Sequence, residues 1–261
     1  MRFCKMLLLI AVLVSVPMPA LADWDPTQPV KMTVPQLPDP LGWDVRMTFP
    51  KVLADDWVCS ETGPVTDVHF WVSIKADQIP TIPIEQWPAM VGPIHLSFHK
   101  DFRPPTGDFS RPGDLIFEWD VPVDAYKVRF WDQGDQGWFD PNTGEFIPHD
   151  HHMIFQVNIP KIPPMFIQRK GEIYWLDIAL LNPQLPPTIG WKTSKMTWGP
   201  LDDDAVWSDS PPGTVPVWRE LRDPLTRESL NMAFVITPEP GTAAILLLAG
   251  SVLCLRRRRN A

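Results

Sequence analysis

The sequence predicts an all-β fold, a single antiparallel β-sandwich or jelly roll, flanked by an amino-terminal signal peptide and a carboxy-terminal membrane-spanning helix. Three observations carry the β assignment. Proline is dense between Asp23 and Thr237, 28 of 215 residues, and each proline removes an N–H donor and clashes with the turn before it, so long helices are excluded. Short stretches alternate apolar and polar residues with the period of a strand. Turn-forming clusters recur between them. Thirteen Trp residues argue for a packed core despite the proline content.

The strands follow in order. Val65 to Ile74 places Val68, Phe70, Val72 and Ile74 on one face and Asp67, His69, Trp71 and Ser73 on the other. Val91 to Lys100 alternates Ile94, Leu96 and Phe98 with His95, Ser97 and His99. Ala125 to Trp131 sets Tyr126, Val128 and Phe130 opposite Lys127 and Arg129, and Met153 to Ile159 repeats the pattern. Glu172 to Leu181 is apolar on both faces, which marks a central strand, and Met232 to Ile236 is the last. Thr62-Gly63-Pro64, Arg111-Pro112-Gly113 and Pro141-Asn142-Thr143-Gly144 are among the turns. About nine or ten such strands fit one sandwich.

The two ends carry different signals. Arg2 and Lys5 precede an apolar run, Met6 to Val16, broken only by Ser15. Ala20-Leu21-Ala22 then offers a small-x-small cleavage site, so the mature chain is expected to begin at Asp23. At the other end Pro238-Glu239-Pro240 precedes 15 uncharged residues, Gly241 to Leu255, and then Arg256, Arg257, Arg258 and Arg259. As a helix the uncharged run spans about 22 Å, short of a hydrocarbon core of about 30 Å. The arginines are expected to stay in the cytoplasm, leaving the bulk of the protein outside. The domain plan is therefore 1–22 signal peptide, 23–43 Pro-rich segment, 44–236 sandwich and 237–261 carboxy-terminal membrane segment.

Pro238-Glu239-Pro240-Gly241-Thr242, the Ala/Leu-rich run and the terminal arginines together resemble the PEP-CTERM sorting signal. That resemblance implies recognition and cleavage by exosortase, after signal peptidase has acted at the other end. It also implies a final place in the envelope or the exopolysaccharide matrix. Val52-Leu53-Ala54-Asp55-Asp56-Trp57-Val58-Cys59, Glu61 to Asp67, Gly137 to Gly144 and Gly190 to Ser194 resemble an uncharacterised family of exported, mostly β domains. That second resemblance implies no known activity.

Charge narrows the partners. Between Asp23 and Thr237 there are 17 Lys and Arg against 30 Asp and Glu, a net −13. Such a field repels phosphate backbones and speaks against nucleic acid. Cys4 and Cys254 lie in the end segments, so Cys59 alone remains between them and is expected to be buried.

The sequence offers several candidate sites. His149-Asp150-His151-His152 is the densest ligand cluster, and in a regular strand His149 and His151 would share a face about 7 Å apart. His95 and His99 sit four apart, about 13 Å along a strand, which suits a solvated face better than one metal ion. Asp132, Asp135 and Asp140, or Asp202-Asp203-Asp204, could hold calcium. Asp55-Asp56 suits a structural hydrogen-bonding role. Glu118 and Asp120 share a strand face but make a poor glycosidase pair. No nucleophile-elbow, phosphate-loop or zinc-protease motif is present. Trp71 and Trp131 fall on the more polar strand faces and are the candidate glycan contacts, against the commoner role of Trp in building a core. The reading is thus a non-enzymatic envelope or matrix protein, with a carbohydrate-binding module as the alternative and a hydrolase with an unrecognised site as the third.

Overall fold

A computed structural model describes residues 23–105, 109–182, 188–195, 205–210 and 214–238. The signal peptide, Asp202-Asp203-Asp204, the Glu239-Pro240 pair and the arginine tail lie outside the described residues. No helix within them is long and apolar enough to cross a membrane.

Two six-stranded sheets face each other. The first is built from β1 (Trp43–Arg46), β4 (Asp67–Ile74), β7 (Lys127–Asp140), β8 (Glu145–Ile159), β11 (Ile189–Lys192) and β14 (Phe234–Thr237), in the order β11-β1-β7-β8-β4-β14. The second holds β2 (Val52–Val58), β5 (Ile94–Phe102), β6 (Arg111–Val121), β10 (Ile173–Leu180), β12 (Val206–Ser208) and β13 (Arg219–Glu220), in the order β13-β12-β2-β10-β5-β6. A short ladder joins β3 (Gly63–Pro64) to β9 (Ile167–Gln168). The one α-helix among the described residues, α1 (Trp87–Val91), has Pro88 in its first turn, where the missing N–H is harmless.

Alternation supplies the core. Val68, Phe70, Val72 and Ile74 of β4 are buried against the second sheet, as the sequence pattern requires. Across the gap Trp57 of β2 meets Phe234 of β14 edge-on at 6.0 Å, and it also packs on Phe98 of β5. The strand expected to be central is central: β10 lies between β2 and β5.

The sandwich is not purely antiparallel. β11 pairs with β4 as well as with β1, so β11, β1, β7, β8 and β4 form a closed circuit of ladders. An odd circuit cannot be antiparallel throughout, and the parity is resolved by a parallel ladder, Trp43↔Gly137 to Val45↔Phe139, between β1 and β7. Alternation fixes which face a residue takes but not the direction of its neighbour, so this pairing was invisible in the sequence. Gly190 fits the circuit because a Cβ there would stand 2.9 Å from the Trp138 ring and from the Asp44 backbone.

Trp71 takes the core role and not the glycan-contact one. It is 0% exposed. The Pro-rich segment 23–43 does not trail away: it crosses this face of β4, and Trp24 lies edge-on to Trp71 at 5.9 Å and stacked on Trp131 at 6.4 Å. Arg129 Nη2 and Gln156 Nε2 both donate to the Trp24 carbonyl, at 2.7 and 3.0 Å, and hold it there. A strand face that looks half-polar in sequence is thus roofed by its own leader, and Trp71 is withdrawn as a glycan contact. Trp131 is half-buried between Trp24 and the Arg129 guanidinium, 5.0 Å from its ring.

Candidate functional site

The outer face of the second sheet carries a groove of about 610 Å³. Its floor follows from register. On β5 the core takes Ile94, Leu96 and Phe98, so His95, Ser97 and His99 face outward. β10 sends Asp177 to the same face, directly opposite Ser97, and on the other side Ser97 lies opposite Glu118 of β6. His95 lies opposite Asp120. Phe49, Val52, Leu115 and Trp218 give the walls apolar patches. Trp218 belongs to the segment after β12, which also covers the outward ring of Trp175.

Asp177 organises the floor. It stands on a central strand, 5% exposed, and its diagonal neighbours across the ladder are His95 and His99. His99 Nε2 lies 3.0 Å from Asp177 Oδ2 and 2.8 Å from Ser97 Oγ, while His99 Nδ1 lies 3.1 Å from the Gly113 carbonyl oxygen. A carbonyl and a carboxylate only accept, so both ring nitrogens donate and His99 is an imidazolium. Burial works to lower its pKa, but the hydrogen bond and charge of Asp177 prevail and raise it above the usual histidine range. His99 is therefore no base for Ser97, because the nitrogen facing the hydroxyl already holds the proton that Asp177 binds. His95 Nδ1 pairs with Asp120 Oδ1 at 2.8 Å, and its Nε2 stands 3.9 Å from Asp177 Oδ1. That last distance is beyond hydrogen-bond reach, and Asp177 Oδ1 is buried with no hydrogen-bond partner. An unmet buried acceptor costs about 1–3 kcal/mol, so the floor has a standing demand for a donor.

The other sequence candidates separate. His149, His151 and His152 do not converge. A register shift in β8, with His149 at φ 56, breaks the alternation that would have set His149 beside His151. His149 is exposed and pairs with Asp135, His152 pairs with Asp77, and His151 is fully buried between Asp44 and Asp150 at 2.9 Å each. Asp132 and Asp135 face solvent, whereas Asp140 is buried and bound by Lys51 and Arg46. Asp55 accepts from the Met232 amide at 2.6 Å and from the Asp56 amide at 2.8 Å, a structural role. Cys59 is 1% exposed, and burial pushes its thiol up. Among the described residues no three His, Cys, Asp or Glu side chains gather as a metal shell.

Two pairs noticed separately in the sequence, His95 with His99 and Glu118 with Asp120, meet in this one groove. Asp177 was missed. The available signal was a lone charge in the middle of Ile173-Tyr174-Trp175-Leu176-Asp177-Ile178-Ala179-Leu180, an otherwise uncharged strand, where burial demands a partner.

Two facing sheets, with a groove of charged floor and apolar walls on one outer face, define a β-sandwich domain with a ligand-sized cleft. Residues 32–237 match the model of a domain of unknown function, DUF7901, and the chain belongs to that family. No curated protein matches it.

Proposed function

We propose that this is an exported cell-envelope protein, cut by signal peptidase before Asp23 and by exosortase near Pro238-Glu239-Pro240. Its DUF7901 domain acts as a binding module, taking a polyhydroxylated ligand such as exopolysaccharide in the groove of the second sheet. The observation that carries the binding reading is Asp177, a buried carboxylate on the groove floor with one oxygen that lacks a hydrogen-bond partner. Sugar hydroxyls supply donors to such an oxygen, and the apolar patches of Leu115 and Trp218 suit the C–H faces of a sugar ring. The binding site thus moves from the Trp71 face to the opposite side of the sandwich.

Glycan-array binding by the full chain in mild detergent tests the module. Asp177→Ala is expected to weaken binding about tenfold or more, the worth of a charge-assisted hydrogen bond of roughly 1.5–3 kcal/mol, while Trp131→Ala leaves it unchanged. The opposite ranking would return the site to the Trp131 face. For the sorting reading, mass spectrometry of the envelope protein is expected to find no peptide beyond about Pro240. An intact Arg256 to Arg259 tail in the final product would count against cleavage.

A further inference from the structure

The charge on the groove floor says more about the ligand than hydrogen bonding alone does. Glu118, Asp120 and Asp177 line it, with His95 and His99, and no Lys or Arg does so among the described residues. Even with both imidazoles protonated, three carboxylates outweigh two cations and the floor stays negative. Uronate, phosphate and sulfate groups are repelled from such a site. A neutral hydroxyl would answer the unpaired Asp177 oxygen but leave the surplus charge uncompensated. A primary ammonium answers both, with three donors and a positive charge. We propose that the groove selects a glycan bearing free amino groups, with glucosamine-type units, and that a protonated amine seats among Glu118, Asp120 and Asp177. This rests on the groove being the ligand site.

Glu118 and Asp120 are the exposed carboxylates that meet the amine first. Asp177 lies beneath them, and its unpaired Oδ1 is reached as the His95 ring, 3.9 Å away and held on its far side by Asp120, swings aside.

The test is isothermal titration of the full chain, in mild detergent at neutral pH and low salt, with two probes: the hexamer of glucosamine and the hexamer of N-acetylglucosamine. The amine form is expected to bind about tenfold tighter or better, with a preference that shrinks as salt is added. Asp177→Asn and Glu118→Gln should each reduce the preference, while Glu85→Gln, an exposed carboxylate outside the groove, should not. Glu118 is exposed, so its variant reports on the groove even if Asp177→Asn fails to fold. Equal binding of both hexamers, lost in Asp177→Asn, overturns the amine preference and leaves the groove as the site. An amine preference that Glu85→Gln reduces as much as Glu118→Gln reflects the diffuse acidity of the domain and overturns the proposal. No binding of either hexamer overturns this proposal and leaves the array to decide on the groove.

Discussion

Acidification from pH 6.5 to about 4 is expected to cost the domain about 3 kcal/mol of stability, at about 1.4 kcal/mol for each unit of pKa shift, and His69 is the reason. Burial pushes His69 down to about 4. Its Nδ1 donates to Asn158 Oδ1 at 2.6 Å, and its Nε2 faces the Thr237 hydroxyl at 3.3 Å. Those partners suit a neutral ring. Below pH 6.5 the unfolded chain takes up a proton that the folded chain refuses, so stability falls until the folded site titrates as well. Other shifted groups do not disturb this window. His99 and His151 are raised, so what they add is fully present below about 6.5 and is lost as pH rises through their folded values. Asp44, Asp77 and Asp140 are lowered, so their contribution holds above about 3.8 and is lost further down. Urea midpoints at pH 6.5, 5.5 and 4.5 measure the acid limb, and His69→Gln should flatten it. A wild-type midpoint that stays level over this range would remove the argument.

Asp44→Ala is expected to cost about 3–5 kcal/mol, the range for orphaning one side of a buried ion pair. The strand circuit encloses Asp44, His151 and Lys192, each 0% exposed. Asp44 Oδ2 accepts from His151 Nε2 at 2.9 Å and from Lys192 Nζ at 3.0 Å, and Asp150 takes the other imidazole nitrogen at 2.9 Å. Two carboxylates and two cations balance. Burial works to raise the Asp44 pKa, yet Lys192 and His151 prevail and hold it below the usual carboxylate range. Removing Asp44 leaves two cations facing one carboxylate where water cannot compensate. The double variant Asp44→Ala/Lys192→Met should recover part of the loss, since an unpaired ammonium no longer remains. Denaturant unfolding reads both, and a loss under about 1 kcal/mol in the single variant would mean that the network relaxes to solvent.

Strand identity was largely legible in the sequence because burial on one face writes a period of two. β4, β5 and β10 lie where alternation or a continuous apolar run places them. β7 was read short, ending near Trp131, because Asp132-Gln133-Gly134-Asp135-Gln136-Gly137 looks like a loop by composition. In the fold those residues continue the strand: Gln136 is buried with Ser73 Oγ donating to it, and Gly137 lies under the Trp43 ring. The turn comes later, at Gly144, whose φ of 75° suits glycine and whose amide closes on the Asp140 carbonyl at 2.9 Å. The site was half legible. Outward faces of β5 and β6 could be listed, but which strands lie side by side is long-range information. Without the β5–β10 ladder, Asp177 had no histidine. Without the crossing of Trp24, Trp71 had no reason to be hidden.

His69 also marks where the two ends of the described domain meet. Trp24 lies 6.5 Å from its ring on one side and the Thr237 hydroxyl meets its Nε2 on the other. The first and last described stretches of the chain therefore lie at one pole, on the outer face of the first sheet. A tether at either end grips the molecule by that pole. The groove occupies the outward face of the other sheet, two layers away, so a body hung from either end shows its acidic cleft to whatever lies opposite its support.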